Sequence, residues 1–178
     1  MLEPGCDGCR DVDGLMARFA AVLVTGMSGV GKSTVLAELA RQGYLTVDTD
    51  DDDWIEVVAG EPLWRESLIA ELLDRPREAP LIVQGTVANQ GRFYDRFDAV
   101  VLLSAPIDVV LQRIEHRTNN PFGKSLEERA RILADTAEVE PLLRQAATHE
   151  VQTDRPLAEV VDIVAGIADT TTVAAPRG

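Results

Sequence analysis

The chain of 178 residues is long enough to bury one substantial core and too short for two full-sized domains, so a single domain is expected. Its 17 basic and 30 acidic side chains leave a net charge of −13, which repels a polyanion and argues against nucleic acid as a partner. No segment reaches the roughly 20 consecutive apolar residues that span a bilayer, and no basic stretch followed by an apolar core opens the chain, so a cytoplasmic protein without membrane contact is expected.

In chain order, residues 1–15 read as a flexible extension, with the functional domain expected over 16–170 and a flexible tail over 171–178. Cys6 and Cys9 form a lone C-x-x-C among Gly, Pro and Asp. A structural zinc ion needs four ligands, and His116 and His149 lie in distant segments. A redox dithiol sits where a strand enters a helix, which these residues do not. From Phe19 the pattern alternates. FAAVLVT is an apolar run stopped by Gly26, as a buried parallel strand should be. Val35, Leu36, Leu39 and Ala40 then recur at helical spacing before Gly43. YLTVDTD reads as a second strand, and PLWRESLIAELLDR as a helix with Pro62 near its first turn and Trp64, Leu68 and Leu72 on one face. PLIVQG and DAVVLLSA are two more buried strands. Helices are expected over 107–117 and 125–147, a short strand at HEVQT, and a last helix whose Leu157, Val160, Val161, Val164 and Ile167 share a face. Such alternation predicts an α/β fold with a central parallel five-stranded sheet, because parallel neighbours need long crossover connections.

Between the first strand and the first helix stands GMSGVGKST, which fits G-x-x-x-x-G-K-[ST] without a mismatch and in the strand, loop, helix context the motif requires. Gly26, Gly29 and Gly31 let the backbone turn successive N–H groups toward a polyphosphate, and Met27, Ser28 and Val30 complete the loop. The helix starting near Lys32 adds the positive end of its dipole. Lys32 supplies a cation for the β and γ phosphates, Ser33 a hydroxyl for Mg²⁺, and Thr34 a weaker polar contact. Magnesium also calls for carboxylates. Neither LIVQG nor VVLLSA ends in Asp or Glu, which argues against a motor or transporter ATPase. The acids cluster in VDTDDDD instead, where Asp48 and Asp50 alternate along the strand and reach the edge of the sheet at which ligands of open α/β folds collect. Asp51, Asp52 and Asp53 read as a solvated loop.

With these residues in place, the chain from about Phe19 to Ala168 resembles the small P-loop kinases of the shikimate kinase, gluconate kinase and nucleoside monophosphate kinase group. The resemblance implies a three-layer P-loop kinase fold with a small lid at about 114–126. DTD is similar to the D-x-D of shikimate kinases, so Asp48 is expected to help hold Mg²⁺ and Asp50 to contact the acceptor hydroxyl. GEPLWRESL resembles the family's G-E-x-x-F-R-x-x-E, which puts Arg65 toward the acceptor and Trp64 in the aromatic's place. IDVVLQRIEHRTNNPFGKS looks like the helix entering the lid, with Arg113 and Arg117 four apart on one face.

Two departures concern the acceptor. QGTVANQ keeps only Gly85 of the family's glycine run, and VEPLLRQ puts Glu140 where an arginine would meet an anionic acceptor. Arg144, one helical turn on, is the alternative cation. TDRPLAEVV stands where such kinases wrap a loop around adenine, so Asp154 to Pro156, Arg155 among them, are expected near the base; an ordinary turn capped by Thr153 or Asp154 fits the same residues. No N-K-x-D segment signals GTP, so Mg-ATP is the expected cofactor. The function implied is transfer of the γ-phosphoryl group of ATP to a hydroxyl of a small molecule, by a monomer or homodimer. A rival is an ATP-binding switch or adaptor ATPase without such an acceptor.

Overall fold

The computed structural model describes residues 19–50, 53–116 and 123–171. The expected N-terminal extension with Cys6 and Cys9, residues 16–18, nearly all of the tail, Asp51 and Asp52, and the centre of the expected lid with Arg117 lie outside the described residues.

Five parallel strands form the central sheet: β1 (Ala21–Thr25), β2 (Leu45–Asp48), β5 (Leu81–Gln84), β6 (Ala99–Ser104) and β7 (His149–Gln152), in the order β2-β5-β1-β6-β7. Successive side chains of a strand point to opposite faces, so each strand feeds two cores. Val22, Val24, Ile82, Val101 and Leu103 pack against α1 (Lys32–Arg41) and α5 (Leu157–Thr170) through Val35, Leu39, Val160, Val161 and Val164. Ala21, Leu23, Leu81, Val83 and Val100 face α2 (Glu66–Asp74) and a 3₁₀ helix at Gln90–Arg96 through Ile69, Leu72, Leu73, Phe93 and Phe97. The strands are apolar on both faces because both are covered, which is why periodicity alone located them. The three layers and the five-stranded sheet are those the alternation predicts. Helices α3 (Ile107–His116) and α4 (Leu126–Ala146) stand on either side of the segment expected as a lid, and α4 starts on a capping box in which Ser125 Oγ accepts from Glu128 N while Glu128 Oε2 accepts from Ser125 N. Among the described residues no helix is long and apolar enough to cross a membrane.

One segment departs from expectation. The helix predicted over PLWRESLIAELLDR begins only at Glu66, and Glu61–Trp64 is a strand, β4, paired antiparallel with β3 (Ile55–Val58). Ala59 and Gly60, with φ of 53° and 87°, make the two-residue turn between them, the positive-φ pair that suits a tight hairpin. Trp64 is held extended by tertiary bonds: its N–H donates to Asn89 Oδ1 at 2.9 Å and its carbonyl accepts from Asn89 Nδ2 at 3.0 Å. Those two bonds outweigh a helical propensity worth only tenths of a kcal/mol per residue.

The start of β2 is tied to the end of α5 by Tyr44, whose hydroxyl donates to Asp169 Oδ2 at 2.9 Å. Burial first, then this hydrogen bond and the charge of Asp169, push the phenol up to about 12 from 10. The folded state thus holds the proton more tightly than the unfolded chain. The corresponding stability is whole below pH 10 and is lost as pH rises toward 12. Tyr44→Phe is expected to flatten the fall in melting temperature across that window, read from thermal melts at a series of alkaline pH values.

Candidate active site

The site forms where β1 ends. At Gly26 the backbone takes φ 146°, and a Cβ there would lie 2.3 Å from the Leu103 carbonyl oxygen, so only glycine lets the chain leave β1 this close to β6. Thr86 fastens the turn: its hydroxyl donates to Gly26 O at 2.8 Å and accepts from Gly26 N at 3.3 Å. The loop closes into α1 with Gly31 at the N-cap position, φ 102°. Lys32 Nζ donates to Gly26 O at 2.8 Å and Met27 O at 3.4 Å, which draws the ammonium across the mouth of the loop. Backbone amides, the helix N-terminus and this cation surround a cavity of about 490 Å³, an anion-binding arrangement by construction.

The cavity collects most of the residues expected from the motif. Ser28, Gly29, Val30, Gly31, Lys32, Ser33 and Thr34 line it, together with Asp50, Arg113 and Arg155. Gly26 sits at the base of the loop, and Met27 leans against the core. Asp48 joins through a residue the sequence reading passed over. Gln84, the last residue of β5, is fully buried, and its Nε2 donates to Asp48 Oδ1 at 2.7 Å, Ser33 Oγ at 3.2 Å and Asp50 Oδ2 at 3.4 Å. A hydroxyl and a carboxylate that share one donor lie within reach of a single hydrated cation, the hard-oxygen setting that Mg²⁺ takes with phosphates. Ser33 and Asp48 are therefore the residues that could hold it. Thr49, between the two aspartates, points to the other face, where its hydroxyl donates to Gln84 O at 2.6 Å and accepts from Trp64 Nε1 at 2.8 Å.

Arg113 is engaged on the far side of the loop. Its Nη1 donates to Val30 O at 3.2 Å and Thr153 Oγ1 at 2.8 Å, and its Nη2 donates to Thr153 O at 2.5 Å. Thr153 also donates to Val30 O at 2.8 Å. This cluster ties α3, the phosphate loop and the segment after β7 together. Helix α5 is capped by neither Thr153 nor Asp154: its N-cap is Pro156, without a side-chain bond, because Thr153 is committed to the loop.

Other expected residues lie elsewhere. Arg65 lines a separate depression with Glu56, Glu66, Ser67 and Leu68, and its Nε donates to Ile55 O at 3.1 Å. Gly85 is covered: a Cβ there would come 2.2 Å from Thr49 Oγ1 and 3.0 Å from the Trp64 ring. Arg144, the alternative anchor for an anion, is held by Glu140 at 2.6 Å and Glu150 at 2.9 Å, and Glu150 also accepts from Ser104 Oγ at 2.7 Å. The hydrogen bonds from Arg144, with a smaller one from Ser104, hold the Glu150 carboxyl below the usual carboxylate range against the opposing effect of burial. A residue paired in this way makes a poor receptor for a third group.

A parallel sheet of this order, with a glycine loop and a helix N-terminus at the carboxyl end of its central strand, defines a P-loop nucleotide-binding protein. Comparison with known proteins narrows the class. Residues 22–134 match the AAA domain family. The chain is 33% identical over 150 residues to a shikimate kinase of Halorhodospira halophila, covering 74% of this chain and 83% of that protein. It is 31% identical over 175 residues to the shikimate kinase of Rhodopseudomonas palustris, covering 88% and 85%. The chain belongs to the AAA domain family and to the shikimate and gluconate kinase-like P-loop kinases. In fold it is similar to shikimate kinase from Acinetobacter baumannii in complex with shikimate, with a TM-score of 0.63 at 21% identity over 88% of this chain and 96% of that one. A gluconokinase from Sinorhizobium meliloti gives 0.53 at 23% identity over 87% and 95%.

Proposed function

We propose that the protein is an ATP-dependent small-molecule kinase that moves the γ-phosphoryl group of Mg-ATP to an alcohol. The observation that carries this reading is the convergence of the phosphate loop with Asp48 and Asp50 around Gln84, which brings a donor site and an acceptor-side carboxylate to one edge of the sheet. Magnesium, when bound with the nucleotide, neutralises phosphate charge and orients the transferred group. Ser33 and Asp48 hold the metal's side of the site. Lys32 exchanges the carbonyls of Gly26 and Met27 for phosphate oxygens, and Arg113 and Arg117 add charge from the lid side. Asp50 orients the acceptor hydroxyl or takes its proton. Arg155 stands by the base, whereas Arg65, in its separate depression, and Gly85, covered by Thr49 and Trp64, take no part in this scheme. Positioning and charge stabilisation supply most of the catalysis in such a scheme.

The acceptor in this reading is an alcohol other than shikimate. Arg144 is bound by two carboxylates, and the glycine run of shikimate kinases is replaced by Gly85-Thr86-Val87, of which Thr86 holds Gly26. ADP release from Mg-ATP, measured with shikimate, sugar acids, nucleosides, nucleotides and aminoglycosides and with Lys32→Ala as blank, tests both parts. Release stimulated by one non-shikimate alcohol and absent from the blank is expected. Turnover equal with and without every acceptor would sink the kinase and favour an adaptor ATPase. Stimulation by shikimate alone would restore that acceptor.

A further inference from the structure

Gln84 occupies a distinctive place in the sheet. It is in register with Val24 of β1 on one side and Asp48 of β2 on the other, so it lies between the strand that feeds the phosphate loop and the strand that presents the aspartates. Parallel neighbours in register project to the same face. Its amide edge therefore meets Asp48 and Asp50 from the strand side and Ser33 from the first turn of α1. The orientation of that amide is determined by its neighbours. Turning it over would set a carbonyl against two carboxylates, which only a donor can satisfy.

The other edge is the informative one. Gln84 Oε1 is buried and has no hydrogen-bond partner among the described residues. A leucine or methionine at this point would fill the same space without an unsatisfied acceptor, whose burial is unfavourable. Asp48 adds to the picture: its Oδ1 accepts from both Gln84 Nε2 and Asp50 N, the latter at 3.0 Å, which leaves Oδ2 for a further donor. An amide kept here despite that orphaned oxygen serves through its donor edge, which meets a hydroxyl and a carboxylate of the hard-oxygen type that magnesium takes.

We propose that Gln84 is the metal-positioning residue of this site: its Nε2 holds Asp48 Oδ1 and Ser33 Oγ together, the pair that would hold the magnesium ion of a bound nucleotide. This rests on the kinase reading above for the presence of Mg-nucleotide. A neutral amide here holds the metal's partners without adding a third negative charge to Asp48 and Asp50. Residues that orient the ligands of a metal commonly change its affinity by about 10–100-fold when removed.

The test uses the full chain with Mn²⁺ as the metal and a non-hydrolysable ATP analogue. Mn²⁺ affinity of the analogue complex is read by electron paramagnetic resonance, and metal-free ADP affinity by calorimetry in chelator. Gln84→Met is expected to weaken Mn²⁺ binding by about 10–100-fold with metal-free ADP affinity within about twofold, a split that a general loss of structure would not produce. A double-mutant cycle with Asp48→Asn should be non-additive, since Gln84 acts through Asp48. Additive losses, or Mn²⁺ affinity equal to that of the unsubstituted protein, overturn the proposal. Should Gln84→Met fail to fold, Gln84→Glu gives an independent reading. It sets a third carboxylate against Asp48, so Mn²⁺ with the analogue should raise its melting temperature by more than it raises that of the unsubstituted protein, and equal shifts overturn the proposal. If the unsubstituted protein binds no nucleotide with or without metal, the kinase reading falls as well; if it binds Mn-nucleotide and only the Gln84 effects are missing, the proposal falls alone.

Discussion

Lys32→Ala is expected to lower kcat for phosphoryl transfer by about 10²–10³-fold, the usual cost of removing one preorganised positive group from a site of developing negative charge. The two carbonyls that now accept from Lys32 Nζ belong to Gly26 and Met27, at the mouth of the loop, so the ammonium needs only side-chain rotation to reach a phosphate. A compact, mobile ammonium suits that exchange better than a planar guanidinium. Lys32→Arg should therefore recover little activity. Stopped assays at saturating ATP and acceptor, with melting temperature as the control for folding, provide the measurement. A variant that keeps kcat within about threefold, well short of the change expected for such a group, would remove Lys32 from the catalytic roles assigned above.

Trp64→Ala is expected to destabilise the protein by about 3–5 kcal/mol, a large share of the roughly 5–15 kcal/mol that holds a domain folded. The ring is fully buried, lies edge-on to Phe93 with centroids 5.9 Å apart, and donates through Nε1 to Thr49. Removing it opens a cavity beneath Gly85 and takes one partner from Thr49, whose own donation to Gln84 O keeps that hydroxyl satisfied. Trp64→Phe keeps most of the apolar volume and loses the N–H, so a smaller loss is expected. Urea unfolding followed by the fluorescence of the remaining Trp54 reads both. A loss under about 1 kcal/mol for the alanine variant would be far below the usual range and would mean that the α2 face collapses to fill the space.

These residues also mark how far the sequence could be read. The five parallel strands and the loop were legible because covered parallel strands are short apolar runs and because GMSGVGKST combines fixed spacing with a strand before it and a helix after it. Asp48 and Asp50 emerged from period-two alternation, and Thr49, turned to the opposite face, follows the same rule. The β3–β4 hairpin was not legible. Its turn is Ala-Gly rather than Asn-Gly, and the extended state of Trp64 depends on Asn89, which is distant in the chain. Gln84 was seen only as an acid missing from a strand end. What gives it a role is its register between two strands, a relation that single-chain periodicity does not carry. Thr153 looked like a helix cap because its type suits one; the structure spends its hydroxyl on Val30.

The position of β1 bears on how the chain acquires its shape. The strand that leads into the phosphate loop comes early in the chain yet ends in the middle of the sheet, bonded to partners 60 and 77 residues downstream: Gly26 N to Thr86, and Ala21 N to Asp98. Local contacts can form α1 early, but the conformation of Gly26 depends on the arrival of both β5 and β6. Such long-range closure slows the search for the native state. During synthesis, competence to bind nucleotide should thus appear late and abruptly, only after residue 104 has left the ribosome, so that ATP occupancy reports the pairing of β1 with β5 and β6 rather than growth of the chain.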